Sequence, residues 1–157
     1  MPPVLRKAKM ADVPAIQRLV NQFADRGEML PRSRNEIYEN LRDFFVVENG
    51  AGLVACGACH INWEDLAEVK ALVVEEAFQG KGLGRQLLQA CIQEATELGV
   101  GTLFALTYRP EFFEKFGFSR VEKSTLPHKV WAECIRCSKF PDCGEIALIK
   151  QLQVVSG

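Results

Sequence analysis

Long apolar runs and targeting signals are both missing from this sequence of 157 residues. A transmembrane helix needs roughly 20 consecutive apolar residues, and no stretch of the chain approaches that length. The apolar centre of a secretory signal peptide is also missing from the first residues, which read MPPVLRKAKMADVP. We therefore expect neither secretion nor membrane insertion, and we expect a cytoplasmic location.

The chain also has little excess charge, since 19 basic and 20 acidic residues give a formal net charge of -1. This balance provides no electrostatic reason to bind nucleic acid or an anionic membrane. The hydrophobic fraction of 48% and the charged fraction of 25% are typical of a globular protein. We expect small-molecule substrates and no nucleic-acid or membrane partner. A homodimer is compatible with the sequence.

No internal repeat, low-complexity segment or linker divides the chain. Its length is that of one compact domain with its own hydrophobic core. The sequence therefore predicts a single domain over residues 1–157.

Disulfides are not expected among the six cysteines, because a reducing compartment keeps thiols free. Three of them lie in apolar stretches and are predicted to be buried as small hydrophobic side chains: Cys56, Cys59 and Cys91. The others are Cys134, Cys137 and Cys143, with His128 upstream. They form one C-x2-C pair with irregular spacing to further ligands, so we expect no metal site. A Cys3His zinc site and a redox-sensitive pair are the alternatives.

Apolar periodicity predicts the element order βααβββαβαβ, followed by a last strand. The predicted strands cover residues 4–8, 44–48, 53–61, 67–75, 102–107, 118–121 and 146–152. Predicted helices run from a cap at Asp12 to Gly27, from Ser33 through Leu41, from the 79–84 turn to Gly99, and over 110–116. Asn49-Gly50 predicts a hairpin.

The order of these elements predicts the fold class. Antiparallel strands come first and βα units later, which indicates a mixed, mostly antiparallel sheet flanked by helices, an α/β (α+β) fold. In the strand over 67–75, strict alternation predicts one apolar face and one face directed to a cleft. The apolar face holds Ala67, Val69, Ala71 and Val73, and the cleft face holds Glu68, Lys70, Leu72 and Val74.

Three glycines, Gly80, Gly82 and Gly84, stand between a predicted strand and a predicted helix. Glycines there let backbone N–H groups converge where the helix dipole also favours an anion, so the turn predicts a phosphate site. A tight turn without a ligand is the alternative. A dinucleotide fingerprint would need glycine at Arg85, and a P-loop would need a later Gly-Lys pair; the sequence has neither.

The segment Gln79-Gly80-Lys81-Gly82-Leu83-Gly84 resembles the Q/R-x-x-G-x-G/A signature of the GNAT superfamily of N-acetyltransferases. The strand LVVEE before it, the helix RQLLQACIQEA after it and the later FFEKFGF lie where this superfamily places them. The resemblance implies a GNAT-like fold and acetyl-CoA as acetyl donor. It implies that the coenzyme A pyrophosphate is held by backbone groups of Gln79, Gly80, Lys81, Gly82, Leu83, Gly84 and Arg85.

The resemblance also implies a binding mode for the rest of the cofactor. In the superfamily the strand before the turn splays from the next strand, and the pantetheine arm hydrogen-bonds into the gap. The corresponding backbone here belongs to Leu72, Val73 and Val74, with Phe113 and Phe116 near the acetyl end.

Acetyl transfer needs a neutral amine, so a base must remove a proton from an α-ammonium group. Glu68 is the predicted base, since the run E-V-K-A-L-V-V resembles the GNAT strand that carries a catalytic glutamate. A structural ion pair with Lys70 is the alternative. Many relatives protonate the leaving thiolate with a tyrosine, but Phe113 stands at that position. Tyr108 is our first replacement and Thr107 our second.

Further segments resemble the acetyltransferase domain of N-acetylglutamate synthases. These segments are 28–33 (EMLPRS), 56–60 (CGACH), 104–107 (FALT) and 126–129 (LPHK). Arg32 matches a position that binds substrate carboxylate, for which a planar guanidinium is suited. Lys70 and Lys129 are weaker candidates for the second carboxylate, and a solvated loop arginine is the alternative for Arg32.

The resemblance therefore predicts transfer of acetyl to the α-amino group of L-glutamate, the first step of arginine biosynthesis. The chain resembles short stand-alone synthases, because it has no room for the kinase-like domain of the longer ones. Two other functions remain open. One is acetylation of a different amine, such as a peptide, a polyamine or another amino acid. The other is a non-catalytic module that binds acyl-CoA or metal, in which Glu68 would be dispensable.

Overall fold

The computed structural model describes residues 2–26, 31–126 and 145–152, and in these ranges it contains seven strands and four α-helices. The strands are β1 (Val4–Lys7), β2 (Phe44–Glu48), β3 (Leu53–Trp63), β4 (Leu66–Val74), β5 (Thr102–Thr107), β6 (Ser119–Val121) and β7 (Ile146–Gln151). The helices are α1 (Val13–Ala24), α2 (Arg34–Glu39), α3 (Leu83–Glu97) and α4 (Pro110–Glu114).

The seven strands belong to one sheet with the order β1-β2-β3-β4-β5-β7-β6. The pairs β1–β2, β2–β3, β5–β7 and β6–β7 are antiparallel. This arrangement confirms the predicted α/β fold with a mostly antiparallel sheet flanked by helices. None of the helices in the described ranges is both long enough and apolar enough to cross a bilayer.

The residues group into two units. The first unit comprises Met1–His60 and Val69–Glu94, and the second comprises Ile61–Glu68 and Ala95–Gly157. The strand β4 contributes residues to both, and the boundary falls between Glu68 and Val69.

The core of the first unit is built on the apolar stripe of α1. Its buried residues recur at helical spacing: Val13, Ile16, Leu19, Val20 and Phe23. They cluster with buried side chains of α2, β2, β3 and β4, among them Ile37, Val46, Cys56 and Val73. Each large aliphatic side chain buried in this way stabilises the fold by roughly 1.5–3 kcal/mol.

Asp12 lies at the N-cap position of α1, as predicted, but its side chain makes no capping hydrogen bond to that helix. Its carboxylate accepts the backbone N–H of Lys9 at 2.7 Å, which caps the 3₁₀ turn Met10–Asp12. The same carboxylate binds the guanidinium of Arg6 at 2.7 and 3.0 Å. The hydrogen bond from Arg6 holds the pKa of Asp12 below its usual value. Asp12 therefore ties β1 to the start of α1.

Two local signals are confirmed at atomic level. The hydroxyl of Ser33 accepts the N–H of Glu36 at 3.1 Å at the start of α2. Asn49 and Gly50 stand in the β2–β3 hairpin loop, closed by a hydrogen bond from Asn49 N to Gly52 O of 3.2 Å. The helix α2 ends earlier than predicted, because Leu41–Asp43 forms a 3₁₀ turn.

The predicted alternation along β4 is wrong at its centre. Ala71 has a φ of 54°, a left-handed conformation that costs alanine roughly 1–2 kcal/mol. The first four residues of the strand, Leu66 to Val69, are all buried, whereas Ala71 is only half-buried. The thiol of Cys56 donates to the Ala71 carbonyl at 3.5 Å, so this irregularity has a partner in β3.

The second unit has its own apolar cluster of Leu66, Phe104, Leu126 and Ala147. Phe104 and Ala147 belong to the antiparallel strands β5 and β7, in which Leu106 is the register partner of Ala147. The helix α4 ends at Glu114, earlier than predicted.

Asp65 fixes the start of β5 within the second unit. Its φ is 59°, and its carboxylate accepts the N–H of Gly101. A Cβ on Gly101 would lie 2.6 Å from that carboxylate, so a side chain at this position would displace Asp65.

Candidate active site

The glycine turn follows β4 and the 3₁₀ turn Glu76–Phe78 in the first unit. Gly80 and Gly82 have φ values of 81° and 82°, a region that favours glycine. A Cβ built on either would meet nothing within 4 Å among the described residues. The turn therefore needs glycine for its backbone conformation, and the space beside that backbone is open to a ligand.

The first turn of α3 continues directly from these glycines. Leu83 is buried and anchors the helix, Gly84 is its second residue, and the N–H of Gln86 bonds to Gly82 O at 3.1 Å. The first N–H groups of a helix have no partners within the helix, and its dipole favours an anion there. The exposed side chains of Lys81 and Arg85 add positive charge. The turn therefore fits a phosphate group.

The turn is tied to the strand that precedes it. The side-chain amide of Gln79 donates to the Val74 carbonyl at 3.0 Å, and the N–H of Glu75 donates to Val54 O at 2.9 Å. In the same strand Val73 is buried, whereas Leu72 and Val74 are half-buried.

Gly57 lies in the 56–60 segment, but the sequence did not predict a role for it at the site. A Cβ at Gly57 would lie 3.0 Å from Leu72 Cδ1, so glycine in β3 leaves room for a residue of the predicted pantetheine-binding segment. A glycine inside an apolar strand is a weak signal of such a close approach.

Arg32 stands between α1 and α2 in the first unit, on a backbone held from both sides. Its N–H donates to Asn21 Oδ1 at 3.0 Å. Its carbonyl accepts the side-chain amides of Asn21 and Gln17, both at 3.3 Å. The side chain is only 13% exposed, and its Nη1 lies 3.7 Å from a carboxylate oxygen of Glu36. The alternative of a solvated loop arginine therefore does not describe this side chain.

The other predicted carboxylate-binding residues are less defined. Lys70 is half-buried in β4. Lys129 lies outside the described residues.

Glu68 is in the second unit and is buried, with 8% of its surface exposed. Glu68 is therefore not a solvent-exposed charge on the surface of the strand. Burial of a carboxylate is costly unless it has polar partners, which is why such groups are concentrated at functional sites.

Two hydroxyls and one aromatic ring complete the predicted set in the second unit. Thr107 ends β5, and its hydroxyl oxygen accepts the N–H of Arg109 at 2.9 Å, which leaves its proton able to be donated. Tyr108 is 39% exposed. Phe113 is buried and packs edge-on against Phe118 at 5.3 Å. The position that carries tyrosine in many relatives is thus an apolar contact.

Three of the six cysteines and one of the two histidines lie in the described residues. Cys56, Cys59 and Cys91 are buried free thiols, as predicted, and burial raises the pKa of Cys56 and of Cys59 to about 12. His60 Nδ1 lies 2.6 Å from Asp43 Oδ2. The cysteines of the C-x2-C pair, Cys143 and His128 lie outside the described residues. Within the described ranges, no three His, Cys, Asp or Glu side chains are grouped to hold a metal.

The predicted site residues thus fall into two sets. The first unit holds Arg32, Lys70, Leu72, Val73, Val74 and the 79–85 turn. The second unit holds Glu68, Thr107, Tyr108 and Phe113.

Comparison with known proteins identifies related sequences over most of the chain. Residues 13–118 match the profile of the Acetyltransferase (GNAT) family. An uncharacterized N-acetyltransferase of Chlorobaculum tepidum is 38% identical over 94% of this chain and 96% of its own length. An amino-acid acetyltransferase of Mycobacterium tuberculosis is 34% identical over 85% of this chain and 78% of its own length.

Two solved structures are similar in fold and sequence. A crystal structure from Mycobacterium tuberculosis in complex with CoA has a TM-score of 0.81 and 30% identity, covering 96% of this chain and 99% of its own. The N-acetylglutamate synthase of Neisseria gonorrhoeae, complexed with coenzyme A and N-acetyl-glutamate, has a TM-score of 0.86 and 26% identity. The match covers 98% of this chain but 36% of that longer protein.

Proposed function

We propose that this chain, which belongs to the acetyltransferase (GNAT) family and is an acetyl-CoA-dependent N-acetyltransferase, acetylates the α-amino group of L-glutamate. The observation that carries the proposal is the side chain of Arg32, which is largely buried and extends from an anchored backbone. A desolvated guanidinium recognises a carboxylate through charge-assisted, bidentate hydrogen bonds. The names of the Mycobacterium and Neisseria relatives support an amino-acid acceptor.

Acetyl-CoA supplies an acetyl group activated as a thioester. The left-handed glycines Gly80 and Gly82, with open space beside them, support the assignment of its pyrophosphate to the 79–85 turn. We assign the pantetheine arm to the backbone of Leu72, Val73 and Val74, and the acetyl end to the neighbourhood of Phe113.

Glu68 is proposed to accept a proton from the α-ammonium group of the acceptor, directly or through one water. The nitrogen lone pair released in this way forms the new bond to the acetyl carbon as the carbon–sulfur bond breaks. Tyr108, with Thr107 as second candidate, donates a proton to the departing thiolate. Burial of Glu68 supports its role, because buried carboxylates are concentrated at functional sites.

The two carboxylates of glutamate need two cationic partners. Arg32 is proposed to bind one, and Lys70 or Lys129 the other. The place of the reaction at the start of arginine biosynthesis, a cytoplasmic location and a single domain over residues 1–157 belong to the same proposal.

A substrate comparison tests this function. The protein is incubated with acetyl-CoA and, separately, L-glutamate, L-glutamine, L-aspartate, D-glutamate, a polyamine or a short peptide. Thiol release gives the rate, and mass spectrometry identifies the product. We expect the highest kcat/KM for L-glutamate. A higher value for a polyamine or a peptide would reject glutamate in favour of another amine, and no turnover with any of them would favour the non-catalytic module.

A further inference from the structure

Asn21 is an α1 residue that uses its whole side-chain amide on the backbone of Arg32. Its Oδ1 accepts the Arg32 N–H at 3.0 Å, and its Nδ2 donates to the Arg32 carbonyl at 3.3 Å. An amide that satisfies both backbone groups of one residue fixes the position and the rotation of that residue. The Cα from which the guanidinium extends is therefore held by α1.

Gln17, one helical turn before Asn21, reinforces this arrangement. Its Nε2 donates to the same Arg32 carbonyl at 3.3 Å, and its Oε1 accepts the Arg34 Nε at 2.9 Å. Residues four positions apart share one face of a helix. One face of α1 thus binds the backbone of Arg32 and the side chain of Arg34, at the segment that leads into α2.

We infer that Asn21, reinforced by Gln17, is a positioning residue for substrate carboxylate that acts through Arg32. The inference rests on the proposed function, because it explains the anchored backbone of Arg32 by recognition of the acceptor carboxylate. A guanidinium on a fixed backbone loses less conformational freedom when it binds a carboxylate. A displacement of about 1 Å in a binding group is enough to weaken a bidentate contact strongly.

A double-mutant cycle tests the inference in the full-length protein. Asn21→Ala, Arg32→Ala and the double variant are compared for KM of L-glutamate, KM of acetyl-CoA and Tm. We expect Asn21→Ala to raise the KM for glutamate roughly tenfold and to change that for acetyl-CoA less than about twofold. In the Arg32→Ala background it should raise the glutamate KM no further, because groups that act through one another are not additive.

Asn35→Ala is the matched control. Asn35 donates to Glu39 at 3.1 Å on α2, so its removal also deletes an asparagine hydrogen bond near this segment. It should leave both KM values unchanged. If Asn21→Ala is unfolded at the assay temperature, Asn21→Asp replaces it, since the carboxylate still accepts the Arg32 N–H but cannot donate to its carbonyl. That variant should show a smaller rise, in the glutamate KM alone.

The outcomes separate this inference from the proposed function. If Arg32→Ala raises the KM for glutamate alone, the proposed function stands. The inference is overturned in that case if Asn21→Ala raises both KM values equally, or if its effect on the glutamate KM adds fully to that of Arg32→Ala. Should Arg32→Ala leave the glutamate KM unchanged, the proposed acceptor site fails. Amide hydrogen exchange at Arg32 tests the anchoring without any substrate. Faster exchange in Asn21→Ala than in Asn35→Ala is expected, and equal exchange would overturn the anchoring itself.

Discussion

Gly82 and Gly99 form a matched pair for testing the cofactor turn. Both are left-handed, with φ values of 82° and 83°, and a Cβ on either would meet nothing within 4 Å among the described residues. Gly82 stands in the proposed pyrophosphate site, whereas Gly99 follows the end of α3. Replacement of each by valine therefore imposes the same backbone strain, and only Gly82→Val fills the proposed ligand space.

The size of both effects follows from the conformation. A non-glycine residue in the left-handed region costs roughly 1–2 kcal/mol, with a further cost for a β-branched side chain. For a protein of this size such a cost lowers Tm by roughly 2–8 °C in both variants. If the turn gives two charge-assisted hydrogen bonds of roughly 1.5–3 kcal/mol each, Gly82→Val should weaken acetyl-CoA binding by roughly 10²- to 10⁴-fold.

Calorimetric titration with acetyl-CoA and thermal unfolding without it measure these two quantities. We expect similar Tm values for the two variants and a loss of acetyl-CoA binding in Gly82→Val alone. Equal affinity in the two variants would refute the assignment of the pyrophosphate to this turn. A loss of binding in both would indicate that strain, and not occupied space, is responsible.

Four further predictions concern three side chains and the metal content of the protein. Arg32→Ala should raise the KM for glutamate by roughly 10²-fold, the loss of a desolvated charge pair, with the KM for acetyl-CoA nearly unchanged; an equal change in both would reject its role. Glu68→Gln should lower kcat near neutral pH by roughly 10²- to 10⁴-fold, with a smaller loss at higher pH where more amine is already neutral; an equal loss at every pH would remove the base assignment. The hydrogen bond from Arg6 lowers the folded-state pKa of Asp12. The ionised Asp12 therefore stabilises the fold above its unfolded pKa of about 3.9, and this stabilisation is lost as the pH falls through the lower folded-state pKa. Asp12→Asn should therefore lower Tm at pH 7, and the difference from the native protein should disappear in strong acid. Elemental analysis of protein purified without chelator should find no stoichiometric zinc, and about one zinc per chain, lost in Cys137→Ser, would contradict this.

Much of the fold was predictable because its signals act over a few residues. Asn49 and Gly50 lie in the loop of the predicted hairpin, and β5 has the predicted bounds. The hydroxyl of Ser33 binds the N–H three residues later, as the capping pattern requires. Gly80 and Gly82 adopt left-handed conformations, which favour glycine. In each case the preferred conformation and the group that satisfies it lie on the same short segment.

The predictions that failed concern side-chain partners or backbone conformations for which the residue type gives no signal. Asp12 stands at the N-cap of α1, but its carboxylate binds the guanidinium of Arg6 and the N–H of Lys9 instead of the first N–H groups of the helix. Ala71 has no residue-type signal for a positive φ, and its carbonyl is bound by Cys56 from β3.

The residues to which we assign the chemistry were recognisable from the sequence: the glycines of the turn, the carboxylate of Glu68 and the guanidinium of Arg32. Their environments were not, because burial and anchoring depend on segments brought together by folding. From the sequence Arg32 fits a solvated loop residue equally well, because the burial of its side chain and the hold of Asn21 on its backbone exist only in the folded chain. Local helix preferences amount to at most about 1 kcal/mol for residues other than proline, whereas a buried or charge-assisted contact contributes roughly 1.5–3 kcal/mol. Where the two conflict, as at Asp12, the charge-assisted contact replaces the local capping hydrogen bond.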